Sequence, residues 1–200
     1  MEATILEKPT KKTRAVRKPQ GLQRIPMSFD RFSDWNPKDG FKYEWKNGFA
    51  VKNGSKLKNT EMYIVINISR KFNSSKYYQN GDALVPETRC NLNENTIRTP
   101  DIAFFTKEQI KISTSGGHPI PSLVIEIISK NENTIETEIK VKEYFDAGVE
   151  VVWQVFPFLK QVWVFTNYKT VSIFTDIELC QAGKTLSDFS LTVDEIFSLE

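Results

Sequence analysis

Histidine is almost missing from this chain: His118 is the single one among 200 residues. A multi-histidine zinc site is thereby excluded. A serine–histidine triad is left with one candidate base, set between Gly116-Gly117 and Pro119 in the manner of a loop residue. Cysteine is scarce too. Cys90 and Cys180 stand far apart in no metal-like spacing, so they read as free thiols of a reducing, cytoplasmic compartment and not as a disulfide framework. No run approaches the roughly 18 apolar residues of a membrane span, and no membrane partner is expected. The opening residues are charged and lack the apolar region of a secretory signal. A strong charge of one sign is absent as well: 27 Lys and Arg against 25 Asp and Glu leave +2, which by itself announces no polyanionic partner.

What is present is ordinary in bulk, with 40% hydrophobic and 26% charged residues, enough for one substantial core. Charge is uneven only at the start. Lys8, Lys11, Lys12, Arg14, Arg17, Lys18 and Arg24 face only Glu2 and Glu7. Residues 1–26 read as a flexible basic arm, either solubilising or phosphate-contacting, and residues 27–200 as a single domain.

Within that domain Ser28 caps a short helix, and Phe41 to Val51 reads as a hairpin turning at Asn47-Gly48. Its alternation puts Phe41, Tyr43 and Trp45 on one face and Glu44 on the other. The spacing of Met62, Ile64, Ile66, Ile68 and Phe72 predicts a helix over 58–72, followed by a polar loop over 73–80. Ala83 to Leu92 is a strand interrupted at Pro86.

The informative stretch is 97–148. Asp101 opens a short strand to Phe105, and Glu126 stands inside the apolar run Leu123 to Ile128, the pattern of a strand covered on both faces. Such a carboxylate needs a compensating partner. A helix then runs from a cap at Asn133 or Thr134 to Gly148. Ile135, Ile139, Val141 and Phe145 form its apolar arc, Lys142 falls within that arc, and Lys140 lies near Tyr144 at another edge, so both lysines are expected to reach inward. Glu136 with Lys140 and Glu138 with Lys142 have the spacing of helix-surface ion pairs. Strands over 149–156, 161–165 and 170–174 follow, then a strand end and short helix over 191–199.

Two carboxylates at the ends of neighbouring strands can share one divalent cation, and hard oxygen ligands suit Mg²⁺ or Mn²⁺. A metal there lowers the pKa of bound water and neutralises a phosphoryl group, and a lysine beside it orients the nucleophile. Acid, acid and lysine on strand, strand and helix make phosphodiester cleavage the sensible chemistry.

The same residues carry a resemblance. Thr-Pro100-Asp101-Ile-Ala-Phe, Pro-Ser-Leu-Val-Ile-Glu126-Ile-Ile-Ser129, Lys140…Tyr144…Gly148-Val149 and Val-Trp153-Gln-Val-Phe-Pro157 resemble the Uma-type family of restriction endonucleases, bacterial members of the PD-(D/E)XK nuclease superfamily. The likeness spans about residues 28–197. It implies an α/β, restriction-endonuclease-like fold with a mixed central sheet flanked by helices. By the resemblance Asp101 and Glu126 bind the metal, the main-chain carbonyl of Ile127 is a further ligand, and Glu44 is an extra N-terminal acid shaping the site. The superfamily's lysine two residues beyond the glutamate is replaced by Ile128, and Lys140 occupies the matching place on the helix, with Lys142 as its fallback. Lys130 stands where a proline commonly follows Ser129, and Phe156 where an aspartate commonly precedes Pro157.

The leading expectation is a Mg²⁺- or Mn²⁺-dependent DNA endonuclease with Glu44, Asp101, Glu126 and Lys140 as its catalytic set. Self-association into a homodimer fits double-strand cleavage. The alternative is an inactive nuclease-fold protein that binds nucleic acid or regulates.

Overall fold

The computed structural model describes residues 23–55, 58–130 and 132–199. The basic stretch over 1–22 lies outside the described residues. In chain order, β1 (Arg24–Pro26) leads to α1 (Phe29–Asp34), whose Ser28 cap accepts the N–H of Arg31. Arg24–Pro26, read from sequence as the end of the arm, pairs as an antiparallel strand. β2 (Phe41–Lys46) and β3 (Phe49–Ser55) form the expected hairpin, with Asn47 at φ +49° and Gly48 at φ +82° supplying the left-handed turn. A 3-10 turn (Asn59–Glu61) runs into α2 (Met62–Asn73).

The polar stretch after it is not all loop: α3 (Lys76–Asn80) is capped by Ser75 and closed by Gly81. β4 (Ala83–Pro86) and β5 (Cys90–Asn93) are separate strands in different sheets, and β6 (Thr96–Arg98) pairs with β5. β7 (Ile102–Phe105), α4 (Lys107–Thr114) and β8 (Leu123–Ile127) follow. Next come α5 (Thr134–Ala147), capped by Asn133 and ended by Gly148, then β9 (Val151–Phe156), β10 (Gln161–Asn167) and β11 (Thr170–Phe174). A small pair, β12 (Leu179–Gln181) and β13 (Ser190–Thr192), precedes α6 (Val193–Phe197).

The main sheet has the order β11-β10-β9-β8-β7-β4 and is mixed, since β8 and β9 pair in parallel and every other pair is antiparallel. Alternation along its strands separates two cores. Leu123, Ile125, Ile127, Ile102, Phe104 and Trp153 meet Ile64, Ile68 and Phe72 of α2, with Ile196 of α6. Val124, Ala103, Phe105 and Val152 meet Val141 and Tyr144 of α5. Each large side chain buried this way contributes about 1.5–3 kcal/mol. The second sheet, β1-β3-β2-β6-β5, buries Tyr43, Trp45 and Ile97 against Phe32 of α1. Its other face is turned toward α5 and carries Lys42, Glu44, Lys46 and Arg98 beside the apolar Cys90 and Leu92 of β5. That face builds the site.

Candidate active site

Asp101 precedes β7, and the register sets Ile102 opposite Ile125, so Asp101 and Glu126 lie side by side on neighbouring strands. Both share the side of the sheet that packs on α5, because residues 101, 103 and 105 of one strand and 124 and 126 of the other point the same way. Both are buried, at 7% and 5% exposure. From α5, Lys140 and Tyr144 occupy successive turns of one helix face. The Lys140 ammonium lies 3.3 Å from Glu126 Oε1, and the Tyr144 hydroxyl donates to that same oxygen at 2.6 Å.

The second sheet contributes the rest. Strand β2 turns Tyr43 and Trp45 to the α1 core and presents Lys42, Glu44 and Lys46 on the opposite face. Glu44, at 1% exposure, receives Arg98 Nη1 at 2.6 Å, Asn53 Nδ2 at 2.6 Å and the Thr99 N–H at 3.2 Å, and Lys140 lies 3.4 Å from its Oε1. Lys42 donates to Asp101 Oδ1 at 2.5 Å, while the Ile127 N–H donates to Asp101 Oδ2 at 2.6 Å. Glu143 bridges Arg98 and Lys46 at the edge of the cluster, both at 2.6 Å.

The charges respond to this setting. Burial opposes ionisation of Glu44, but the Lys140 and Arg98 charges outweigh it and hold the carboxyl down at about 2. Glu126 goes the other way: burial, with Asp101 beside it, raises its carboxyl despite the pull of Lys140. Burial disfavours the Lys140 ammonium, yet Glu126 and Glu44 on either side raise its pKa and keep it charged. Lys42 is likewise raised, with Asp101 overcoming its burial. Among the described residues, no group of three or more His, Cys, Asp or Glu side chains is placed to hold a metal. The cluster offers two adjacent carboxylates, Asp101 and Glu126, with lysines against them.

The structure brings Glu44, Asp101, Glu126, Lys140 and the Ile127 main chain into one cluster. Lys142 is not among them. It is exposed and pairs with Asp146 at 2.5 Å, and Ile135 of the expected apolar arc is 71% exposed. The face α5 buries is Thr137, Lys140, Val141 and Tyr144, because the inward lysine and tyrosine find Glu126 as partner, while Lys142 needs water. The helix-surface pairs of the sequence reading give way for the same reason: Lys140 reaches Glu126 and Glu44, not Glu136. Lys42, Arg98 and Glu143 escape the sequence reading, in which Tyr144 figures only as the neighbour of Lys140 and within the resembling motif, without a role. Lys42 alone left a signal, two residues from Glu44 on one strand face.

A mixed sheet with an acid–acid–lysine cluster on the face under its helix defines a restriction-endonuclease-like α/β protein. Over residues 29–194 the sequence matches the model of the Uma2 family, described as "Putative restriction endonuclease", and the chain belongs to that family. A crystal structure from Anabaena variabilis, described as "a putative nuclease belonging to DUF820", superposes with a TM-score of 0.72 at 18% identity. The match covers 86% of this chain and 98% of that one, a likeness of fold. No curated protein sequence matches the chain to a significant degree. No helix among the described residues is long and apolar enough to cross a membrane.

Proposed function

We propose that the chain is a divalent-metal-dependent DNA endonuclease. The observation that carries this reading is the adjacency of Asp101 and Glu126 on neighbouring strands, with the Lys140 ammonium 3.3 Å from Glu126. The donor set fits a hard cation. Asp101 and Glu126 offer carboxylate oxygens, and the Ile127 N–H donates to Asp101 Oδ2 and fixes that carboxylate. Ammonium groups already rest against both carboxylates, so these oxygens are turned toward positive charge. Asp101, Glu126 and the Ile127 carbonyl would hold Mg²⁺ or Mn²⁺, which would supply charge neutralisation at a phosphodiester and a more acidic water.

The chain's own residues do the rest. Lys140 is fixed between Glu126 and Glu44, which keeps it protonated and aimed at the carboxylates, in place to hydrogen-bond an attacking water or the developing phosphorane charge. Glu44 orients Lys140 and is itself fixed by Arg98, Asn53 and the Thr99 N–H. Tyr144 holds the Glu126 carboxylate in one rotamer. Lys140, Glu44 and Tyr144 are thus held in place before a scissile phosphate arrives.

The test is nicking of supercoiled plasmid by purified protein with Mg²⁺ or Mn²⁺, beside Glu126→Ala and a chelator control. Cleavage abolished by both supports the reading. Absence of cleavage on supercoiled, linear and branched DNA, with no metal binding by calorimetry, sinks it in favour of an inactive nuclease-fold binding protein.

A further inference from the structure

The site holds one cation more than a lysine-assisted nuclease requires. Lys42 sits 91% buried by side chain, with its ammonium 2.5 Å from Asp101 Oδ1, while the other oxygen of Asp101 is taken by the fixed Ile127 N–H. Asp101, Glu126 and Glu44 are ion-paired with Lys42, Lys140 and Arg98, and Glu143 and Lys46 add one charge of each sign at the edge. A divalent ion brought against carboxylates that are already paired meets these ammonium groups as like charge.

One of the three bases can yield. Arg98 is held by both Glu44 and Glu143, and Lys140 by both Glu126 and Glu44. The Lys42 ammonium has Asp101 alone as ion-pair partner among the described residues, at the end of a flexible four-carbon stem. Lys42 also lines a cavity of about 310 Å³ whose walls include Asp34, Trp35, Tyr43, Glu87 and Thr99. Lys42 thus borders open space as well as Asp101, and its flexible stem can swing aside.

We propose that Lys42 is a resident counter-ion of Asp101 that competes with the divalent metal, so that metal binding is coupled to withdrawal of Lys42 from Asp101. This rests on the metal-site reading above. The competition keeps Asp101 and Glu126 compensated when no metal is present, and it makes the wild-type site weak for metal until an anionic phosphodiester enters. The substrate's negative charge then offsets the added cation.

The experiment is Mn²⁺ titration of the full-length protein, followed by calorimetry and by loss of the free-Mn²⁺ paramagnetic resonance signal, without DNA. Removing one unit charge this close to the ion is expected to tighten binding in Lys42→Met at least about tenfold, whereas Lys42→Arg keeps the weaker wild-type affinity. Asp101→Asn is expected to abolish binding. Unchanged or weaker Mn²⁺ affinity in folded Lys42→Met, with binding still lost in Asp101→Asn, overturns the competition and leaves the metal site standing. No Mn²⁺ binding in either wild type or Lys42→Met overturns both. Should Lys42→Met not fold, the wild type answers alone. The Lys42 side-chain nitrogen resonance, assigned through Lys42→Arg, is expected to move on saturation with Mg²⁺, and a resonance unmoved at saturation overturns the competition.

Discussion

The Tyr144 hydroxyl and the Glu126 carboxylate meet at 2.6 Å, on the same oxygen that Lys140 approaches from the next turn of the helix. A buried carboxylate is thus shared between a neutral donor and a charged one. Tyr144→Phe keeps the packing and removes the neutral donor. Loss of a hydrogen bond to a charged group costs roughly 1.5–3 kcal/mol, so the urea midpoint is expected to fall accordingly. A midpoint that stays put shows the bond to be idle.

Arg98 and Glu44 form the most deeply buried ion pair described, at 4% and 1% side-chain exposure. Removing one partner strands the other, at about 3–5 kcal/mol. Arg98→Met is therefore expected to destabilise strongly, and Arg98→Met combined with Glu44→Gln to recover part of the loss. A double-mutant cycle by denaturant unfolding measures the coupling, and strict additivity would contradict it.

Acid should act through Glu44. Its carboxyl is held at about 2 in the fold, below the ordinary 4.5. A depressed folded pKa gives stability that is complete above the unfolded value and is lost as pH falls from about 4.5 through about 2. The size of that loss is on the order of 3 kcal/mol. Glu126 has the opposite sign: its raised carboxyl subtracts stability as pH rises above its unfolded value. Glu44→Gln is expected to flatten the acid limb of a stability-against-pH curve, and an unchanged limb would assign acid unfolding elsewhere.

The two thiols should be silent. Burial pushes both Cys90 and Cys180 up to about 12, and both are under 3% exposed. The native protein is expected to give no reaction with a thiol-specific chromogenic disulfide at pH 8 and two equivalents once unfolded in urea. A fast native equivalent would place one cysteine at the surface.

The two lysines of α5 separate cleanly. Lys142 points to solvent and pairs with Asp146, so Lys142→Ala is expected to leave the unfolding midpoint and plasmid cleavage as in wild type. Lys140→Met is expected to reduce cleavage at least about 100-fold, the usual scale for a lost transition-state donor. Equal effects of the two would dissolve the assignment.

How far residues alone led can be judged element by element. The β2–β3 hairpin is legible because Asn47-Gly48 dictates its turn and alternation dictates its faces. Glu126 is legible because nothing polar surrounds it in sequence. The helix Lys76–Asn80 is hidden by its polar composition, although Ser75 and Gly81 are its cap and stop. The inward face of α5 is hidden for a different reason. Its helix buries the residues that neutralise Glu126 and Glu44, and those acids come from other elements. The pairing of Arg98 with Glu44 across 54 residues leaves no local mark, and that of Lys42 with Asp101 across 59 leaves only the place of Lys42 on the strand face of Glu44.

The cluster draws on both sheets and on α5, with Glu44 near one end of the domain and Lys140 beyond its middle. A chain emerging from the ribosome therefore carries Lys42, Glu44 and Asp101 first, then Glu126, and Lys140 only 14 residues after it. Products that stop before α5 lack a complete set. Under the nuclease reading, a complete set therefore exists only once synthesis has passed α5 and the two sheets have met.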